Sequence, residues 1–210
     1  MQIDSRQLPL VPFAGTVHCV PRPLRDIQPG ETYLVVSLGN NGQRTFRERA
    51  DHLRFLTKLE RIASRYGWTI LAYCLMTNRY RLVVRAGERG LSDGMRDLNG
   101  GFARWSNRRY GRFGHLWRNR FFAQRMESEA QTLLTCRYVV LNAVRARMCK
   151  LPEEYVWSCY RASAGFTASP RFLRGDKLSP LFGSHADRPV NGDRSFVAEG
   201  LAEIAAATSG

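Results

Sequence analysis

The chain has 210 residues, 44% of them hydrophobic, which suits one folded domain with tails and excludes a disordered protein. No run approaches the 18 apolar residues of a membrane span, and the N-terminus MQIDSRQLPLVPFAG lacks the basic start and apolar core of a signal peptide. A net charge of +14 calls for a polyanionic partner, nucleic acid before an anionic membrane surface.

The cations are 29 Arg and 3 Lys. Arginine forks grip phosphate and stack on bases, although a GC-rich genome gives the same bias. Five cysteines without a CxxC motif point to neither a disulfide framework nor a zinc site; they fit a reducing cytoplasm as buried thiols.

In chain order, residues 1–30 are proline-rich and read as an extended arm. Tyr33 to Leu38 reads as a strand, closed by the turn signal Gly39-Asn40-Asn41-Gly42. Arg47 to Tyr66 carries a helical stripe (Leu53, Leu56, Leu59, Ile62, Ala63), with Gly67 placed to cap it. Two strands follow, Ile70 to Met76 and Arg79 to Arg85, joined at Thr77-Asn78. The second alternates, with Arg79, Arg81, Val83 and Arg85 on one side and Tyr80, Leu82 and Val84 on the other. A helix is expected over Leu91 to Arg109, with Ser92 as N-cap. Then come a glycine loop, a strand within Phe121 to Met126 and a third helix over Ser128 to Arg147. The first six elements give a ferredoxin-like βαββαβ α+β fold: an antiparallel sheet with helices on one face, plus an extra C-terminal helix. The core domain is expected at 31–166, followed by a tail at 167–210 with a short helix.

The segment Arg96 to Arg125 has eight arginines and one acid, Asp97. Arg104, Arg108, Arg109, Arg112, Arg118, Arg120 and Arg125 are candidate DNA contacts, interleaved with aromatic rings. Phe102 and Trp105 have helical spacing and read as core. Tyr110, Phe113, His115 and Trp117 lie in the loop and read either as packing residues or as DNA contacts.

Several stretches together carry a resemblance: VVSLGNNGQRTF (35–46), AYCLMTN (72–78), LSDGMRDLNGGFARWSNRRYGRFGHLWRNRFFAQ (91–124), RYVVLNAVRARMC (137–149) and YVWSCYRA (155–162). In this order they are similar to the REP-associated tyrosine transposases, a branch of the single-tyrosine HUH transposases. The resemblance runs from Tyr33 to Phe166. It implies the same sheet, single-stranded or hairpin repeat DNA as partner, and a tyrosine that attacks a DNA phosphorus to form a covalent phosphotyrosine link. Tyr138 matches that tyrosine; without the resemblance it reads as a core residue.

The family binds Mg or Mn through two histidines one residue apart, and those positions are Arg79 and Arg81 here. Leu34 stands where the family often has another histidine. Guanidinium groups stay protonated and offer no lone pair, so no metal cofactor is expected. The four histidines (His18, His52, His115, His185) show no ligand spacing. Arg79 and Arg81 then read either as a direct phosphate clamp or as a solvated pair.

Three functions stay open: a DNA-binding transposase relative degenerate in metal-dependent cleavage, an active transposase that nicks and joins DNA through Tyr138, and an RNA-binding or regulatory protein. The resemblance implies a bacterial protein of the cytoplasm and nucleoid, monomeric or homodimeric, with no membrane partner.

Overall fold

The structure, a computed structural model, describes residues 27–174 and 189–208. Most of the proline-rich arm expected over 1–30 therefore lies outside the described residues. Four strands, β1 (Thr32–Leu38), β2 (Thr69–Met76), β3 (Arg79–Arg85) and β4 (Phe122–Arg125), form one antiparallel sheet in the order β2-β3-β1-β4. Helices α1 (Arg49–Tyr66) and α2 (Leu91–Arg109) connect them in the βαββαβ sequence. The third helix region is broken: α3 (Glu129–Val140) gives way at Leu141 to the single turn α4 (Asn142–Arg145). Short α5 (Tyr160–Ser163) and α6 (Pro189–Thr208) complete the described α-helices. The short C-terminal helix expected in the tail is 20 residues long.

Local chemistry sets the ends of α1. Asp51, wholly buried, accepts hydrogen bonds from the backbone N–H of Arg47 at 2.6 Å and of Glu48 at 2.9 Å, which satisfies donors that a helix start leaves open. Gly67 closes the helix in the left-handed region at φ 68°. Gly90, not Ser92, occupies the N-cap position of α2, without a side-chain cap.

The alternation of β3 divides the molecule. Tyr80, Leu82 and Val84 are buried against α1 and α2. Phe55 lies 4.6 Å from the Tyr80 ring and 5.3 Å from Phe102. Polar atoms in this layer are paired: Tyr80 Oη donates to Asn99 Oδ1 at 2.6 Å, and Asn99 Nδ2 donates to Ser37 Oγ at 3.0 Å. The other face of the sheet carries α3, which lies over β2 and β3. Helix α6 packs behind α3, where Arg137 meets Glu203 at 3.1 Å and Val197 is buried.

One sheet edge is covered. The 155–159 segment runs along β2: the backbone N–H of Leu75 donates to Trp157 O at 2.9 Å, and that of Cys159 to Tyr73 O at 3.0 Å. The remaining edge, β4, is only four residues long, which limits pairing with foreign strands.

Candidate nucleic-acid interface

Antiparallel register places Cys74, Arg81, Val36 and Phe122 in one row across the sheet. Met76, Arg79 and Leu38 form the next row toward the Thr77-Asn78 turn. Paired residues share a face, so both arginines look toward the side that carries α3. Leu38 and Phe122 are exposed large apolar residues in these rows.

Tyr138 sits half-buried on α3 and meets this face. The Arg81 guanidinium carbon lies 5.4 Å from the Tyr138 ring centre. Its Nη2 donates to Tyr138 Oη at 3.4 Å, longer than a strong N–H···O bond, so the cation–ring contact is the better-formed interaction. Nη1 of Arg81 donates to Met76 Sδ at 3.5 Å. On the other side, Arg145 of α4 lies 5.6 Å from the same ring. Asn142 Nδ2 donates to Tyr138 O at 2.8 Å and ties the turn α4 to α3. Sequence reading missed Arg145; its signal was the seven-residue spacing from Tyr138, two helical turns along one face.

The electrostatics follow from burial. Desolvation pulls the Arg81 guanidinium below its usual pKa, Tyr138 counters this, and the neighbouring Arg79 adds to the depression. Cys74, beside Arg81, has its thiol pushed up to about 12, chiefly by burial. Neither Arg79 nor Arg81 has an ion pair with a carboxylate among the described residues. Arg79 Nε is buried without a hydrogen-bond partner there. No group of three or more His, Cys, Asp or Glu side chains among the described residues is placed to hold a metal ion.

The other sequence-predicted residues are spread more widely. Trp117 is a core residue: it is buried, its ring stands edge-on to Tyr80 at 5.3 Å, and its Nε1 donates to Asn99 O at 3.0 Å. A bridge between Gly39 and Trp117 pulls the loop strand onto the sheet and carries the ring inside. Arg109 pairs with Glu48 at 2.7 Å. Arg125 meets Glu31 at 3.6 Å on the edge strand. Arg104 is exposed on α2 among the cations of α1. Arg108, His115, Arg118 and Arg120 are exposed and Arg112 is half-buried. Arg79, Arg81 and Tyr138 therefore come together, while the remaining arginines fringe α2 and the loop after it.

A family model described as "Transposase IS200 like" matches residues 31–142, more than half of the chain. The chain belongs to the IS200-like transposase family. Among solved structures, this transposase-family chain is similar to a REP-associated tyrosine transposase bound to a REP hairpin. That match has 14% identity and a TM-score of 0.59, covering 75% of this chain and 93% of the other, and it bears out the α+β fold. A putative transposase from Deinococcus radiodurans R1 also matches, with 18% identity and a TM-score of 0.38 over 55% of this chain and 93% of that one. No curated protein matches the chain. No helix among the described residues is long and apolar enough to cross a membrane.

Proposed function

We propose that this transposase-family chain binds single-stranded or hairpin DNA, and that Arg79 and Arg81 hold a phosphate directly at the positions where the family resemblance implies metal-binding histidines. One observation carries the reading. Two guanidiniums stand side by side on a half-buried sheet face with no carboxylate partner among the described residues. Partly buried charges are normally paired, and a phosphate oxygen supplies the missing partner with charge-assisted bonds. The donor set around them is guanidinium, thiol, thioether and phenol. It does not fit magnesium or manganese, hard cations that take carboxylate, carbonyl or water oxygens and are repelled by fixed positive charge. Metal-dependent strand cleavage is therefore lost on this reading. A structural relative bound to a REP hairpin supports this reading.

The test is a salt titration of binding to a labelled DNA hairpin with a single-stranded flank. Joint replacement Arg79→Ala with Arg81→Ala should weaken binding by about tenfold or more and lower the log–log salt slope by about two. An unchanged slope would remove the clamp. A denaturing gel with magnesium or manganese covers the cutting alternative: a covalent protein–DNA adduct that disappears in Tyr138→Phe would establish strand cleavage through this tyrosine instead. Stronger competition by RNA of the same sequence would reassign the partner.

A further inference from the structure

The loop between α2 and β4 contains the most exposed large apolar side chain described, Phe113, at 99% exposure. A lone exposed phenylalanine needs no explanation in itself. This one stands on a loop built to hold it out. Gly111 and Gly114 flank it with φ of 57° and 85°, a region that favours glycine. The backbone N–H of Arg112 donates to Asn107 O at 2.8 Å, and Asn107 Nδ2 donates to Gly114 O at 2.9 Å. Gln43 Nε2 donates to Leu116 O at 3.0 Å. Tyr110 Oη donates to the buried Asp51 Oδ1 at 2.8 Å. The loop backbone is thus pinned on both sides of its tip.

Charge and position indicate what meets it. Leu98 to Met126 contains no acid, and Arg108, Arg118 and Arg120 are exposed around the loop. The backbone N–H of Arg118 donates to Leu38 O at 2.8 Å, and Leu38 pairs with Arg79. The loop is therefore joined to the Arg79 end of the phosphate-binding face. This rim carries exposed cations suited to a DNA backbone and an aromatic ring free to meet a base.

We propose that Phe113 is a stacking platform for one unpaired nucleobase of bound DNA, placed beside the phosphate held at Arg79 and Arg81. This rests on the DNA-binding reading above. Base–aromatic stacking tolerates any base, because each presents a π face. The site thus selects unpaired over paired nucleotides rather than a sequence.

The test compares three probes: a DNA hairpin with an unpaired thymine flank, the same hairpin with an abasic flank, and a blunt hairpin. Phe113→Ala should bind the thymine-flanked probe about tenfold more weakly than the unaltered protein, the loss expected for one base on one ring. It should bind the abasic and blunt probes as the unaltered protein does. Phe113→Trp should keep full affinity for the thymine flank, and the melting temperatures of all three proteins should agree. Equal losses on all three probes, or no loss on the thymine flank, overturn the platform. Altered sedimentation of Phe113→Ala with unchanged DNA affinity overturns it in favour of contact between copies. If Arg79→Ala with Arg81→Ala lowers affinity and Phe113→Ala does not, the platform falls alone. If the unaltered protein binds none of the probes, both readings fall.

Discussion

The two faces of the sheet are built from the same strand and obey different rules. On the helix side, Tyr80, Leu82 and Val84 of β3 are fully buried, and the tyrosine hydroxyl is passed through Asn99 to Ser37. On the α3 side, Arg79 and Arg81 alternate with them, half-buried, and one guanidinium nitrogen has no partner among the described residues. The first arrangement follows the demands of folding: apolar volume is filled and each polar group named is satisfied. The second violates those demands at a single place. Such local violations mark sites kept for something other than stability. Substitutions on the two faces should therefore separate stability from binding.

The largest effect should come from the helix face. Tyr80→Ala removes a ring that touches Phe55 and Trp117 and strands Asn99. A loss of about 3–5 kcal/mol is expected, read as a lower denaturation midpoint. DNA affinity per folded molecule should hold. A loss under about 1 kcal/mol would mean that this layer is not the stability core it resembles.

A smaller effect of opposite sign should appear across the strand. Arg79→Met keeps the side-chain stem and removes both the partnerless buried Nε and one of two adjacent positive charges. A gain of about 1 kcal/mol in stability is expected together with weaker hairpin binding. Thermal melts and anisotropy on the same samples check both. If Arg79→Met destabilises as much as Tyr80→Ala, the arginine is structural and the contrast between the faces disappears.

The division itself was legible in the sequence, because a period of two assigns the faces of β3 without reference to anything else. The order of elements was legible from similar signals: the apolar run of β2, the stripe of α1, and the glycines after β1, α1 and α2. Trp117 was not. In sequence it is one ring among arginines, indistinguishable from Phe113, and only the bridge to Gly39 carries one inside while the other stays out. The break of the third helix at Leu141 was also hidden, since its apolar residues continue through it. Tyr138 was found through family resemblance; its contact with Arg81 depends on how α3 crosses β3, which no local pattern encodes.

The contact of His52 with Trp157 is another such long-range product, and it supplies the smallest expected effect. The imidazole is buried, stacked on Trp157 at 4.1 Å and 5.0 Å from Phe46, with Nδ1 2.9 Å from Glu48 O. Burial lowers its pKa below 6.5, against an upward pull from Glu48 O and the Asp51 carboxylate. The folded state therefore binds this proton less readily than the unfolded chain. Its contribution to stability is complete above the unfolded value of 6.5 and is lost as pH falls through the lower folded value. His52→Phe keeps an aromatic ring against Trp157 and removes the titration. Melting curves taken from about pH 8 down to about pH 5 should fall less steeply for His52→Phe than for the unaltered protein. Carboxylates elsewhere titrate in both proteins and cancel in the comparison. Because His52 lies on the helix side, its protonation should lower stability while leaving the Arg79–Arg81 face as it is. At matched folded fractions, hairpin affinity of the two proteins should stay equal across the range. An affinity that tracks His52 instead would show that the two faces are coupled through the sheet.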